Sequence, residues 1–452
     1  MKEQRQTDEN PANNDKLFAG FIDSFKIDRR LFDADIRVNI AYCDALFHAG
    51  ILNRQESQRI TNGLQIILKR AEFDRNYFKE FPASDIHAFV ESRLVQLVGD
   101  VGRKLQTGKS LHDQIATTFR LWLRKEIEEI AKLTTDLQKT LVEIADGNNE
   151  AILPAYAHFK KIQPILWAHW CLAYFEMFVR DLERLDEVWR RVNVLPFGSG
   201  DLAGTSFEID REEIARNLGF EGISSNSLDA VSDRDFAVEF INACALLMIH
   251  LSRLSEDLLL YSSDEFGFIK FDNENIKNEI ALELIRAKAG RIFGHQTALL
   301  TTLKSLPIGV NKDLQESKEA VFDTIETLEK CLKILSSVLR NLYVNEVKTR
   351  NSAKQILNSD ELENYLVNQG VDFGTAKDIV GKIVSFAKST TKKLNELSLS
   401  ELQSFSSEFE KDVSEIFNLE QILAGKNQIG GTSPETVREA LEMAKNDLEI
   451  DS

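Results

Sequence analysis

Between residues 169 and 191 the chain sets Cys171, Tyr174, Phe175, Phe178, Leu182, Leu185 and Trp189 at steps of three or four, or side by side on one face, with acids and bases between them. A period of about 3.6 residues predicts an amphipathic α-helix. The stretch 235–263, DFAVEFINACALLMIHLSRLSEDLLLYSS, is apolar over more of its circumference, as a helix inside a bundle is. A third long helix is predicted over 317–345, SKEAVFDTIETLEKCLKILSSVLRNLYVN. Three such helices predict a central bundle, and no strand–helix alternation supports a doubly wound sheet. Helices before about residue 101 and after about residue 349 read as shorter. The expected organisation is all-α: a disordered tail over 1–15, an N-terminal helical domain over 16–105, a central bundle domain over 106–349 and a C-terminal helical domain over 350–452. In GGTSPETVREALEMAKNDLEI, Thr432 or Ser433 can cap the last helix, with Pro434 and Glu435 in its first turn.

The 43% hydrophobic and 28% charged residues fit a soluble globular protein. A net charge of -17 excludes a sequence-independent grip on nucleic acid. It leaves room for a local basic pocket and a small anionic ligand. Cys43, Cys171, Cys244 and Cys331 form no Cys-x-x-Cys pair, which predicts free thiols and a reducing compartment. The N-terminal MKEQRQTDENPANND has no apolar core, and no run approaches the ~18 apolar residues of a membrane span. The expected location is the cytoplasm, with no membrane partner. None of the seven histidines lies in an H-E-x-x-H pair or at ligand spacing to a cysteine, and there is no Walker A or G-x-G-x-x-G loop. No metal and no cofactor are expected.

Five segments interrupt the helical pattern. In ILPAYAHFKKIQP, Pro154 and Pro164 bracket a polar loop around His158, which alone reads as a loop histidine holding one backbone hydrogen bond. NVLPFGSGDLAGTSF reads as a crossing point where only glycine lets backbones approach. GISSNSLDAVSDRDF reads as a capped turn before a long helix, with Asp233 or Asp235 at its N-terminus. GVNKDLQESKEA sets Lys312, Gln315 and Lys318 three residues apart, either as donors to a carboxylate or as solvated groups. KFDNENIKN, 270–278, is polar and lacks both serine and glycine.

The segments DIHAFVESRL, GDVGRKLQTGKS, RLWLR, HWCLAYFEMFVRD, RVNVLPFGSGDLAGTSF, NSLDAVSDRDF, SEDLLLYSSDEFGF, LELIRAKAGR and NKDLQESKEAVFD occur in this order. Together they resemble argininosuccinate lyase, of the fumarase/aspartase superfamily, from about Phe25 to the C-terminus. The resemblance implies a three-domain all-α fold with a central long-helix bundle, a homotetramer that pools its central helices, and active sites each built from three subunits. It implies elimination of argininosuccinate to arginine and fumarate, with His158 at a catalytic position. His87, Ser110, Asn226, Ser227, Asp229, Arg234, Gln315 and Lys318 fall at substrate-binding positions, and Ser232 and Asp233 also match. His158 is expected in a polar cleft near Ser227, Asp229 and Lys318 of other subunits.

Several positions depart from the family pattern. The family's mobile G-S-S-x-M-P-x-K-x-N loop supplies the serine assigned as base and a lysine that stabilises the intermediate. Here only IKFDNENIKNEIA separates Phe268 from Leu282. If Asn278 matches the motif asparagine, Ile276 stands for the lysine, and Lys277 is one residue away. In TGKSLHDQ the family arginine is Leu111 and its asparagine His112; elsewhere Asn39 and Ser84 replace a serine and an acid, Ala157 a threonine and Val310 a tyrosine. Losing one buried arginine partner of a carboxylate costs ~2–5 kcal/mol, and losing one charge-stabilising donor costs ~100–1,000-fold in rate. The expectation is a lyase-like protein with lost or strongly reduced elimination and a binding, regulatory or structural role. The alternatives are an active argininosuccinate lyase, a divergent C–N lyase using His158 and His112 on another substrate, or a mixed tetramer with an active paralogue.

Overall fold

The computed structural model describes residues 11–74, 76–79, 83–272, 277–356 and 359–449. The chain is mostly helical, as the periodicity predicts. It divides into two compact units, the first of residues 1–131, 182–246 and 290–328, the second of 132–181, 247–289 and 329–452. Five long helices, Leu111–Gly147, Trp167–Val192, Asp235–Ser262, Lys277–Leu303 and Glu316–Arg340, each give one stretch to either unit. Residues 11–15, assigned to the tail from sequence, fall in a helix, Pro11–Ile22. Helix Asp235–Ser262 is long and apolar enough to cross a membrane by length and composition alone, and 56% of its most apolar window is buried. A core helix has the same composition.

In the first unit, Phe119 packs edge-on against Phe236 at 5.5 Å, and Trp122 against Phe322 at 4.6 Å. The Arg120 guanidinium lies 4.2 Å from the centre of the Phe236 ring and pairs with Asp233. Helix Arg54–Phe73 approaches helix Ile86–Val98 at Gly63, where a Cβ would come within 2.7 Å of Val98. The Gly-rich connection is a close backbone approach, as expected: Gly200 has φ +65, and a Cβ there would lie 2.5 Å from the Gly204 carbonyl oxygen.

In the second unit, Asp257 accepts hydrogen bonds from the Trp170 indole at 3.2 Å and the Tyr174 hydroxyl at 2.7 Å. Trp167 and Tyr261 extend this aromatic cluster. Ser433 caps helix Pro434–Asp447 by accepting the Thr436 N–H at 3.1 Å, while the Thr432 hydroxyl accepts the Leu166 N–H at 2.9 Å. A separate C-terminal core gathers Leu362, Leu366, Val380, Ile383, Leu402 and Phe409.

The segment around His158, expected as a polar loop, is an antiparallel hairpin of strands Ile152–Ala157 and Lys160–Leu166, with Pro154 opposite Pro164. A two-stranded ribbon is all edge, so each strand tolerates a residue without an N–H. The capped turn before the long helix is itself a short helix, Ser227–Ser232, and Asp233 accepts the Asp235 N–H at 2.7 Å. The long helix expected from Ser317 begins at Glu316, after a 3-10 turn over Lys312–Gln315. Strand Ile269–Phe271 pairs with strand Leu342–Val344, and helix Lys277–Leu303 begins soon after it. Ile276 lies outside the described residues.

Candidate functional site

Lys312 and Gln315 sit on the 3-10 turn, where residues three apart eclipse one another. They share a cavity of about 310 Å³ in the first unit with Lys318, at the start of the following helix. Leu111, His112, Ile115 and Phe119 line it from helix Leu111–Gly147, and Val231, Arg234 and Val310 from elsewhere in the unit. Ser24, Asp28, Asp85, Asn311 and Leu314 complete it.

The buried charges come largely in pairs. Lys318 Nζ donates to Asp28 Oδ1, and both side chains are almost fully buried. Burial lowers the Lys318 pKa and the Asp28 carboxylate opposes that shift. Arg234 donates from Nη1 to the Asp233 carbonyl at 2.6 Å, while its buried Nε has no partner. Burial lowers its pKa to about 10. His112 is held below the ordinary histidine range by burial, against the pull of Asp201 at 3.8 Å. The wall thus carries cations at Arg234, Lys312 and Lys318 and carboxylates at Asp28 and Asp85. It can receive a small ligand bearing both signs of charge, or an anion that competes for Lys318.

A second polar cluster begins at Ser110 and Asp113, which flank Leu111 and His112 in the chain. Asp113 accepts N–H groups from Ser110 at 3.2 Å, Gly198 at 3.1 Å and Gly200 at 3.0 Å. Burial raises its pKa to about 7, against those bonds. Lys109, partly buried by accessible surface, is lowered by desolvation to about 8 and donates to Asn39 Oδ1 at 2.9 Å. Asn39 in turn donates to Asp35, which also meets His87 Nδ1 and Gln114 Nε2 at 2.6 Å each. Burial works to raise the Asp35 pKa, yet His87 and Lys109 hold it below the usual carboxylate range.

Of the residues singled out from sequence, Arg234, Gln315 and Lys318 line the cavity, as do Leu111, His112 and Val310. His87 does not: it is buried against Asp35, with Nε2 unpartnered. The Ser110 hydroxyl is engaged by Asp201 at 2.8 Å. Asn226 caps helix Ser227–Ser232 through its side-chain oxygen, and Ser227 donates to the Leu202 carbonyl at 2.8 Å. Asp229 is exposed, beside a smaller cavity that Arg234 also lines. His158 belongs to the second unit, whereas Ser227, Asp229 and Lys318 belong to the first.

His158 and Phe159 form the two-residue tip of the hairpin, and both take positive φ, 51 and 57. That turn ordinarily calls for Asn-Gly, and non-glycine residues there store strain of ~1–3 kcal/mol each. The tip is exposed, Phe159 to 87%. The expected backbone hydrogen bond to the His158 ring is not formed among the described residues. Asp28 and Ser24 were missed from sequence, because Asp28 lies in FKIDRR without any motif spacing. Its link to Lys318 appears only when the chain is folded.

This fold, with its basic-and-acidic cavity at the head of a long helix, is that of the fumarase/aspartase class of lyases. A lyase family model matches residues 9–294, and an argininosuccinate lyase C-terminal model matches 357–424. The chain belongs to the argininosuccinate lyase family. It is 42% identical to an argininosuccinate lyase of Acetivibrio thermocellus over 95% of this chain and 96% of that one. It is 44% identical to one of Caldanaerobacter subterraneus subsp. tengcongensis over 92% and 96%. Among solved structures it is similar to EDDS lyase in complex with formate, with a TM-score of 0.81 and 23% identity over 94% of this chain and 87% of that one. The fumarate lyase of Mesorhizobium sp. BNC1 gives a TM-score of 0.73 at 20% identity over 95% and 98%. At those identities the structures speak for the fold.

Proposed function

We propose that the cavity beside Arg234, Gln315 and Lys318 binds a small anionic ligand of the argininosuccinate or fumarate type. We propose also that the homomeric protein has lost, or strongly reduced, the elimination of argininosuccinate. The observation that carries this reading is the connection before helix Lys277–Leu303. Strand Ile269–Phe271 and that helix leave only residues 272–276 between them, and these contain no serine, lysine or glycine. A catalytic loop brings a base to the substrate and excludes water by closing. Leu111 and Val310 add apolar surface to the cavity wall, where a carboxylate needs donors.

The second reading is an active argininosuccinate lyase or a divergent C–N lyase, alone or in a mixed tetramer with an active paralogue. The relatives named argininosuccinate lyase, 42–44% identical over nearly the whole chain, favour it. In that reading His158, carried on its strained exposed tip, acts with residues of other subunits. Exposed Leu246, Ile249, Ile280, Leu284, Phe293, Leu300 and Ile334 on the long helices support a homotetramer in both readings. A cytoplasmic location agrees with the free, buried cysteines.

One assay separates the readings. Purified protein is given argininosuccinate, fumarate release is followed by absorbance, and binding is measured in parallel by calorimetry. The first reading expects binding without turnover. It also expects Leu111→Arg with His112→Asn to tighten binding while fumarate release stays at background. Turnover on the order of 1 per second or faster by the unmodified protein overturns it in favour of the second.

A further inference from the structure

We propose that Asp44, His48 and Glu213 form a binding site for a late first-row divalent cation, zinc foremost, outside the cavity described above. Asp44 and His48 are four residues apart on helix Phe32–His48, so their side chains lie one above the other on the same face. Glu213 comes from helix Arg211–Leu218, which packs against that helix within the first unit. His48 Nδ1 is 2.6 Å from Glu213 Oε1, and one donor atom from each of the three residues lies within 4.8 Å of the others. Asn217, one turn beyond Glu213, places its amide 3.5 Å from Asp44 Oδ2.

Bonds of about 2.0–2.2 Å set the edges of a tetrahedral site near ~3.4 Å. The His48–Glu213 pair therefore opens and the widest separation closes. Both adjustments are side-chain rotations, and the His48 side chain, 53% exposed, is free to make one. One imidazole nitrogen and two carboxylates supply three protein ligands. The fourth position falls to water or to the Asn217 carbonyl oxygen after the amide rotates. The imidazole selects the metal: zinc, nickel, copper and cobalt favour nitrogen, whereas magnesium and calcium favour all-oxygen sites. A net charge of -17 draws cations toward the surface. Bound there, the metal ties the short helix after the Gly-rich connection to the N-terminal part of the unit. Sequence spacing did not reveal the site, because its ligands come from two segments far apart in the chain.

The test uses the untagged full-length chain stripped with a chelator, titrated calorimetrically with zinc and with magnesium. The expected result is one saturable zinc per chain and no saturable magnesium. His48→Ala and Glu213→Gln should each weaken zinc binding at least about tenfold, and His295→Gln should leave it unchanged. Cobalt(II) supplies a direct readout: its visible absorption in the wild type should be lost in His48→Ala. Circular dichroism checks that variant's fold, and the more conservative His48→Gln replaces it if the alanine chain does not fold. Absence of saturable zinc binding, binding that survives loss of His48, or equal affinity for magnesium each overturns the proposal.

Discussion

The buried pair of Lys318 and Asp28 makes the sharpest stability prediction. Their side chains are 5% and 1% exposed, and they join the head of helix Glu316–Arg340 to the N-terminal helices. Removing one member of such a pair leaves a charge buried without its partner, at a cost of about 3–5 kcal/mol. Replacing both members by neutral side chains of similar size removes the uncompensated charge and recovers much of that loss. Lys318→Met and Asp28→Asn should each destabilise by about that amount, and the double variant by clearly less than the sum. A coupling energy of about 2 kcal/mol or more falls within the range for groups in contact. Urea unfolding, followed by circular dichroism and tryptophan fluorescence, yields the cycle where the two transitions coincide. Single losses below about 1 kcal/mol that simply add would refute the reasoning, because a solvated pair behaves that way.

His112 should make anion binding depend on pH. Burial holds its folded pKa below the ordinary value, so the unfolded chain binds its proton first, and its contribution to stability falls as pH drops below the unfolded value of about 6.5. Once protonated in the folded cavity it adds positive charge. Fumarate should therefore bind more tightly at acid pH to the wild type than to His112→Gln, with the difference vanishing at pH 8, read by calorimetry. Gly200→Ala should lower stability by about 1 kcal/mol or more, since alanine is strained at positive φ and its methyl would meet the Gly204 carbonyl; an unchanged thermal midpoint would contradict it.

The long helices were legible because their burial is periodic. Cys171, Phe175, Phe178 and Leu185 recur at the helical step and all fall in the core, and burying one stripe of a helix requires that pattern whatever its neighbours are. The Ser433 cap and the glycine crossing were legible for a similar reason, since local backbone geometry limits which residues serve there. The shortened connection before Lys277 is likewise a property of chain length alone. The hairpin at His158 was not legible: its prolines read as loop punctuation, and only pairing with the opposite strand makes them edge residues. Tertiary structure also decided which polar groups are available. Lys318 and Arg234 stand out in sequence as cations, but burial and the carboxylate of Asp28 set the state of the lysine, and Asp28 arrives from the other end of the first unit's chain. His87 matched a substrate position by motif, yet its place beside Asp35 makes it part of a buried network. Side-chain periodicity records which face is dry. Which charges meet inside depends on long-range packing, and residues far apart in the chain carry no local sign of one another.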